Sequence, residues 1–374
     1  MSSEPSILFP ERNAQRHRAE RRWVAQALKL IEAEAGRSGW TPLLPVKLAG
    51  LSGVDVYLKD ESLHPTGSLK HRLARSLFVH GLCNGDIGPH TTIVEASSGS
   101  TAVSEAYFAH ILGLEFVAVI PAATSREKIE LIERHGGKAH LVTDPADAVR
   151  TAEQIAREGD GHFMDQFTFA SQATNWRDGN VASEIFSQML RENHPIPQWV
   201  VVGAGTGGTS TSIARYARFQ GLESRIAVVD PEGSAFYEGW LRDDCAVVTN
   251  TASRIEGIGR SQVEPSFFPN LIDEVIPVLD AASVAAMRWI SRTLGRRVGP
   301  STGTNIWGTL QLAQRMVASR HPGSIVSLVC DAGDRYASTY YNDDWLTAQD
   351  LDINPFEEAL AEFESTGVLR TPEY

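Results

Sequence analysis

Cysteine is scarce in this 374-residue chain, with only Cys83, Cys245 and Cys330. An odd, small number without a C-x-x-C spacing implies no disulfide framework, and a reducing cytoplasm is the expected compartment. Long apolar runs are also missing. None approaches the roughly 20 residues that cross a bilayer, so no membrane partner is expected. Positive charge is short as well, with 34 Lys and Arg against 46 Asp and Glu and a net charge of -12. That balance argues against a nucleic-acid partner, whose phosphates need a basic face. It still permits a small anion held by backbone dipoles. Internal repeats and low-complexity tracts are absent. His17, His64, His71, His80, His135 and His140 are scattered, and no metal site is expected. The N-terminus lacks the apolar core of a secretory signal. The Arg-rich stretch 11–22 reads as a solvated helix leading into Trp23, Ala27, Leu28 and Ile31, in preference to an organelle transit peptide.

What is present is an ordinary globular composition, 42% hydrophobic and 21% charged, long enough for two domains or one large α/β unit. Continuous apolar runs at 54–58, 92–96, 116–120, 199–202, 226–229 and 325–329 read as strands buried on both faces of a sheet. Helical spacing marks 68–83, 101–112, 125–135, 145–158, 209–220 and 281–294. The alternation predicts an α/β fold with mostly parallel sheets and helices on both faces. Ligands in such folds sit beyond the carboxyl ends of strands, so the loops after strands are where chemistry is sought. The acidic tail after Asp343 carries one more helix, 355–364, read as peripheral.

Three loops stand out. Gly203-Ala204-Gly205-Thr206-Gly207-Gly208-Thr209 follows a strand and opens a helix, which suits phosphate binding by backbone N–H groups. Gly203, Gly205 and Gly208 also match G-x-G-x-x-G, and Asp230 ends the next strand where a ribose-binding acid belongs. A nicotinamide-dependent oxidoreductase is therefore a competing reading. The second loop, His64 to Arg72, has Ser68 as a helix cap and Lys70 in the first turn. There the helix N-terminus disfavours positive charge and leaves a neutral amine for Schiff-base chemistry. Taken alone, Lys70 reads as an ordinary surface lysine. The third loop, Glu95-Ala96-Ser97-Ser98-Gly99-Ser100-Thr101-Ala102, offers hydroxyls and N–H groups at a helix start, a seat for a carboxylate or a plain cap.

In this order the three loops resemble those of the fold-type II pyridoxal 5′-phosphate (PLP) enzymes: cysteine synthase, cystathionine β-synthase and serine or threonine dehydratase. The likeness runs from about Thr41-Pro42-Leu43 to Asp334. Within that group the chain is most similar to bacterial L-cysteine desulfhydrases. The words Gly67-Ser68-Leu69-Lys70-His71-Arg72, Glu95-Ala96-Ser97-Ser98-Gly99-Ser100-Thr101 and Gly299-Pro300-Ser301-Thr302-Gly303-Thr304 carry this, with Asp334-Arg335-Tyr336 after them.

The resemblance implies a tryptophan synthase β-like fold of two open three-layer α/β domains. Residues 61–175 would form the smaller one, and 1–60 with 176–374 the larger. It implies PLP as cofactor, with Lys70 as the Schiff-base lysine and general base. Gly205, Thr206, Gly207, Gly208 and Thr209 would cradle the phosphate. Ser301 would meet the pyridine nitrogen and Ser100 the ring oxygen. Ser97, Ser98, Gly99, Ser100, Thr101 and Gln166 would hold a small amino-acid substrate. A serine at the pyridine nitrogen leaves the ring largely neutral, which favours β-elimination over transamination or racemisation. Cysteine synthases carry asparagine in place of Ser100 and aspartate in place of His71, and these departures favour degradation of L-cysteine to sulfide, pyruvate and ammonia. A synthase or cystathionine β-synthase-like replacement is the same-fold alternative. A pseudoenzyme is the non-catalytic one, weakened by the intact Lys70. A homodimer is implied as well. Cys330 reads as a core residue. His71 reads as a tuner of Lys70 or as a partly exposed helix histidine, and Arg254 is left without a role.

Overall fold

A computed structural model describes residues 11–48, 50–251 and 253–372. The secretory-signal question concerns the first ten residues and lies outside them. Among the described residues ten strands form two sheets. The larger has β1 (Leu43–Val46), β2 (Val54–Asp60), β7 (Trp199–Gly203), β8 (Arg225–Pro231), β9 (Glu274–Val278) and β10 (Gly323–Val329), in the order β1-β2-β10-β7-β8-β9. Only β1 runs antiparallel, Leu43 opposite Lys59. The smaller has β3 (Thr92–Glu95), β4 (Phe116–Pro121), β5 (Lys138–Val142) and β6 (Gly161–Phe163), all parallel, in the order β5-β4-β3-β6.

The continuous apolar runs are explained by two-sided burial. Along β10, Ile325 and Val329 join one core while Val326 and Leu328 join another on the opposite face. The first core is closed by helices Asp280–Leu294, Pro300–Ala318 and Asn354–Thr366, the second by Val181–Met189 and Gly208–Gln220. Each fully buried Leu, Ile or Val on these strands contributes about 1.5–3 kcal/mol. Helices Lys70–Asn84 and Ser100–Leu112 cover one face of the smaller sheet, with Ala27 and Ile31 of Glu11–Ser38 packed into the same core. Helix Ala148–Glu158 covers its other face.

The final helix is not peripheral. Phe356, Leu360 and Phe363, one turn apart, are fully buried, and Phe363 meets Trp289 edge-on at 6.2 Å. Among the described residues no helix is long and apolar enough to cross a membrane.

Candidate active site

The loops after β2, β3, β7 and β10 converge. Leu69 N donates to Cys330 O at 2.8 Å, and Ser68 pairs with Asp331 in a single antiparallel bridge. The Lys70 loop of one unit is thereby laid against the end of β10 in the other. Lys70 is the first residue of helix Lys70–Asn84. Ser68 Oγ accepts from Lys70 N at 3.1 Å, but the capping position itself is Leu69, with no side-chain cap bond. Burial pushes the Lys70 amine below its ordinary value, against the opposing pull of the Asp331 carboxylate. Burial pushes Asp331 up to about 6 and the Cys330 thiol up to about 12, so the thiol stays protonated. Cys330 is 4% exposed, as a core residue would be, yet it shares a small cavity with Lys70, Gly205, Thr206, Gly207 and Thr209.

The glycine loop forms the floor of that cavity. Gly207 precedes helix Gly208–Gln220 with φ +82°, a conformation that favours glycine. A Cβ on Gly205 would sit 2.5 Å from Gly257 O, so only bare backbone fits. Thr206 Oγ1 accepts from Gly208 N at 3.1 Å, and the first N–H groups of the helix have no intrahelical acceptor. The arrangement suits a phosphate. Gly257 also approaches Ser301, whose hydroxyl interacts with the Cys330 thiol, so Ser301 belongs to the same cluster.

The loop after β3 is pinned from below. Glu95 accepts from Ala96 N at 2.7 Å and Gln166 N at 3.1 Å, and Thr101 Oγ1 donates to Gln166 Oε1 at 2.7 Å. Ser97 Oγ accepts from Gly99 N at 3.3 Å. Thr101 and Gln166 are buried, whereas Ser97, Ser98, Gly99 and Ser100 are half-buried. Arg335 Nη1 donates to Ser100 Oγ at 2.6 Å. Arg335, Asp331 and Thr66 are site residues that sequence reasoning did not assign. Arg335 stood within a word quoted for the resemblance, but its partner lies 235 positions away.

Other expectations change. His71 is 1% exposed, with Nε2 3.2 Å from Glu34 Oε1 and its ring stacked 5.0 Å from His64, so it is not a partly exposed helix histidine. Arg254 bonds Asp280 Oδ2 at 2.8 Å and Gln349 O at 3.0 Å, tying down the C-terminal segment. Asp230, the candidate ribose acid, is 2% exposed and accepts from Tyr237 N at 2.8 Å. It is engaged in the fold and turned away from solvent.

Residues 35–331 match the family described as pyridoxal-phosphate dependent enzyme. The chain is 56% identical over 349 residues to L-cysteine desulfhydrase Cds1 of Mycobacterium tuberculosis, covering 92% of this chain and 95% of that protein. It is 29% identical to cysteine synthase 2 of Schizosaccharomyces pombe, covering 86% of each. Among solved structures, an O-acetylserine dependent cystathionine β-synthase from Helicobacter pylori superposes with a TM-score of 0.70 at 27% identity, over 82% of this chain and 97% of that one. The buried amine, the bare glycine cradle and this match agree: the chain belongs to the pyridoxal-phosphate dependent enzyme family.

Proposed function

We propose that the protein is an L-cysteine desulfhydrase, converting L-cysteine and one water to hydrogen sulfide, pyruvate and ammonia. The observation that carries this reading is the 56% identity, over nearly the full length of both chains, to a protein of that name. The residues around the cavity suit the cofactor in chemical type. Lys70 would hold it, the backbone of Gly205 to Thr209 would take its phosphate, Ser301 would face its ring nitrogen and Ser100 its ring oxygen. Bound PLP supplies an electron sink for the pair left on Cα when the Cα proton departs.

The chain's own residues do the rest. Ser97, Ser98, Gly99, Ser100, Thr101 and Gln166 seat the substrate carboxylate at a helix start. Lys70, whose amine burial pushes below its ordinary value, takes the Cα proton as general base. The Cβ–S bond then breaks with both electrons passing to sulfur, which leaves as hydrosulfide and gains a proton. The unsaturated amino acid left behind hydrolyses with one water to pyruvate and ammonia. Ser301 is a neutral partner for the ring, in keeping with elimination. Its neighbour Cys330 stays a thiol and adds no charge there.

The division into 61–175 against 1–60 with 176–374 is part of the proposal. It is supported by the smaller sheet drawing every strand from 92–163. A cytoplasmic homodimer is proposed on the resemblance and on cysteines that are free throughout, Cys83 and Cys245 at the surface.

A paired assay tests the activity. Purified yellow protein with L-cysteine alone should release pyruvate and sulfide in equal amounts. The same protein with O-acetylserine and sulfide should make little cysteine. Fast cysteine synthesis with negligible pyruvate would replace the elimination reading with β-replacement.

A further inference from the structure

Ser100, which departs from the asparagine of cysteine synthases, is not a lone hydroxyl. Arg335 Nη1 donates to its Oγ at 2.6 Å, while Nη2 of the same guanidinium donates to Thr66 O at 3.3 Å. Ser104 Oγ donates to Ser100 O at 2.8 Å, and the Ser104 and Thr66 hydroxyls are 2.9 Å apart. These bonds close a ring through Arg335, Ser100, Ser104 and Thr66. The ring joins the turn Asp334–Tyr336, beyond β10, to the start of helix Ser100–Leu112 and to Thr66, four residues before Lys70. Arg335 is its only charged member, and its rigid fork spans both loops.

Hydrogen-bond direction has a chemical consequence. A guanidinium donates and never accepts, so Ser100 Oγ is the acceptor of this bond. The Ser100 hydroxyl proton is then left to point elsewhere, and among the described residues no acceptor is assigned to it. A cation on the oxygen also polarises the O–H and strengthens it as a donor.

We propose that Arg335 is a positioning residue that turns and polarises the Ser100 hydroxyl so that it donates to an anionic oxygen in the cleft. This rests on the amino-acid site proposed above. The anionic oxygen is either the α-carboxylate of the amino acid or the phenolic oxygen of the cofactor ring, and the test separates the two.

The test uses the PLP-loaded protein and L-alanine, which has the carboxylate and amine of the substrate but no leaving group. L-alanine is titrated against the cofactor absorption band in wild type, Arg335→Gln, Ser100→Ala and the double variant. If the carboxylate is the acceptor, each single change weakens L-alanine by about tenfold with the resting spectrum unchanged. If the ring oxygen is the acceptor, the resting absorption maximum moves in both single variants. In either case the double variant matches the more affected single, because the two residues act as one unit. Arg335→Lys keeps the cation but loses the fork, and recovers part of the effect. It also carries the test with Ser100→Ala if the glutamine variant does not fold. Additive losses in the double variant, or no change in spectrum or affinity in Arg335→Gln, would overturn the proposal. Loss of cysteine cleavage as the wild-type activity would overturn the functional reading alone, because the titration needs no turnover.

Discussion

Glu105 faces Glu95 inside the smaller unit, and neither Glu105 carboxyl oxygen has a hydrogen-bond partner. Both side chains are fully buried. Burial, with repulsion from Glu95, pushes Glu105 well above the usual carboxylate range, and burial, with repulsion from Asp165, pushes Glu95 up to about 7. Glu95 also accepts the Ala96 and Gln166 N–H groups that hold the loop after β3, so a proton on this pair bears on the site itself.

The sign of the pH effect follows. An acid whose folded pKa is raised binds its proton more tightly when folded. The stability it contributes is complete below about 4.5 and is lost as the pH rises through the folded value. Glu105→Gln mimics the protonated acid at all pH values. It should match wild type near pH 5 and be the more stable of the two at pH 8. Denaturant unfolding at the two pH values measures this, and an equal difference at both would show that the pair does not share a proton.

Gly205 should be intolerant of a side chain. The Gly205→Ala methyl would press on Gly257 O, and relieving it must move the phosphate cradle. Overpacking of this kind costs about 1–3 kcal/mol, so the affinity of the apoprotein for PLP should fall about tenfold or more. Absorption titration with PLP reads it, and wild-type affinity would place the phosphate elsewhere.

Lys59 is fully buried, with its amine 2.6 Å from Thr41 O, 2.7 Å from Glu184 and 2.8 Å from Gln188. Arg72 bonds the same Glu184 and also Glu61. Burial alone would raise Glu184 and Glu61, but Arg72 outweighs it, helped by Lys59 at Glu184, and holds both below the usual carboxylate range. Their contribution is therefore present above about 4.5 and lost as the pH falls through the lower folded values. Glu184→Gln leaves two buried cations short of a partner and should cost about 3 kcal/mol at pH 7. The loss should shrink toward pH 3. Thermal unfolding across that range checks it, and a loss independent of pH would mean that shape and not charge is the cause.

Legibility in the sequence followed burial. Six strands buried on both faces could be read from their apolar runs, whereas β1, β5, β6 and β9 could not. β5 is an edge strand with an exposed Lys138 and Leu141, β6 has three residues, and β9 carries Pro277 at a sheet edge. Helix Pro300–Ala318 was missed because it is buried almost all round, and its Gly and Thr positions blur the helical period. Loops after strands were legible as sites of chemistry because their glycines and hydroxyls are local signals. The Arg335–Ser100 bond, the Ser68–Asp331 bridge and the enclosure of Asp230 are long-range events that no local pattern encodes. Burial, which lowers the Lys70 amine, is likewise a tertiary effect that the local sequence does not show.

The central claim is that Lys70 carries the cofactor. Borohydride reduction of the yellow protein, followed by peptide mass mapping, tests it most directly. The account predicts one phosphopyridoxyl group per chain, on Lys70, and a colourless Lys70→Ala protein that takes up no label. Label on another lysine, or a Lys70→Ala protein that stays yellow and active, would contradict it.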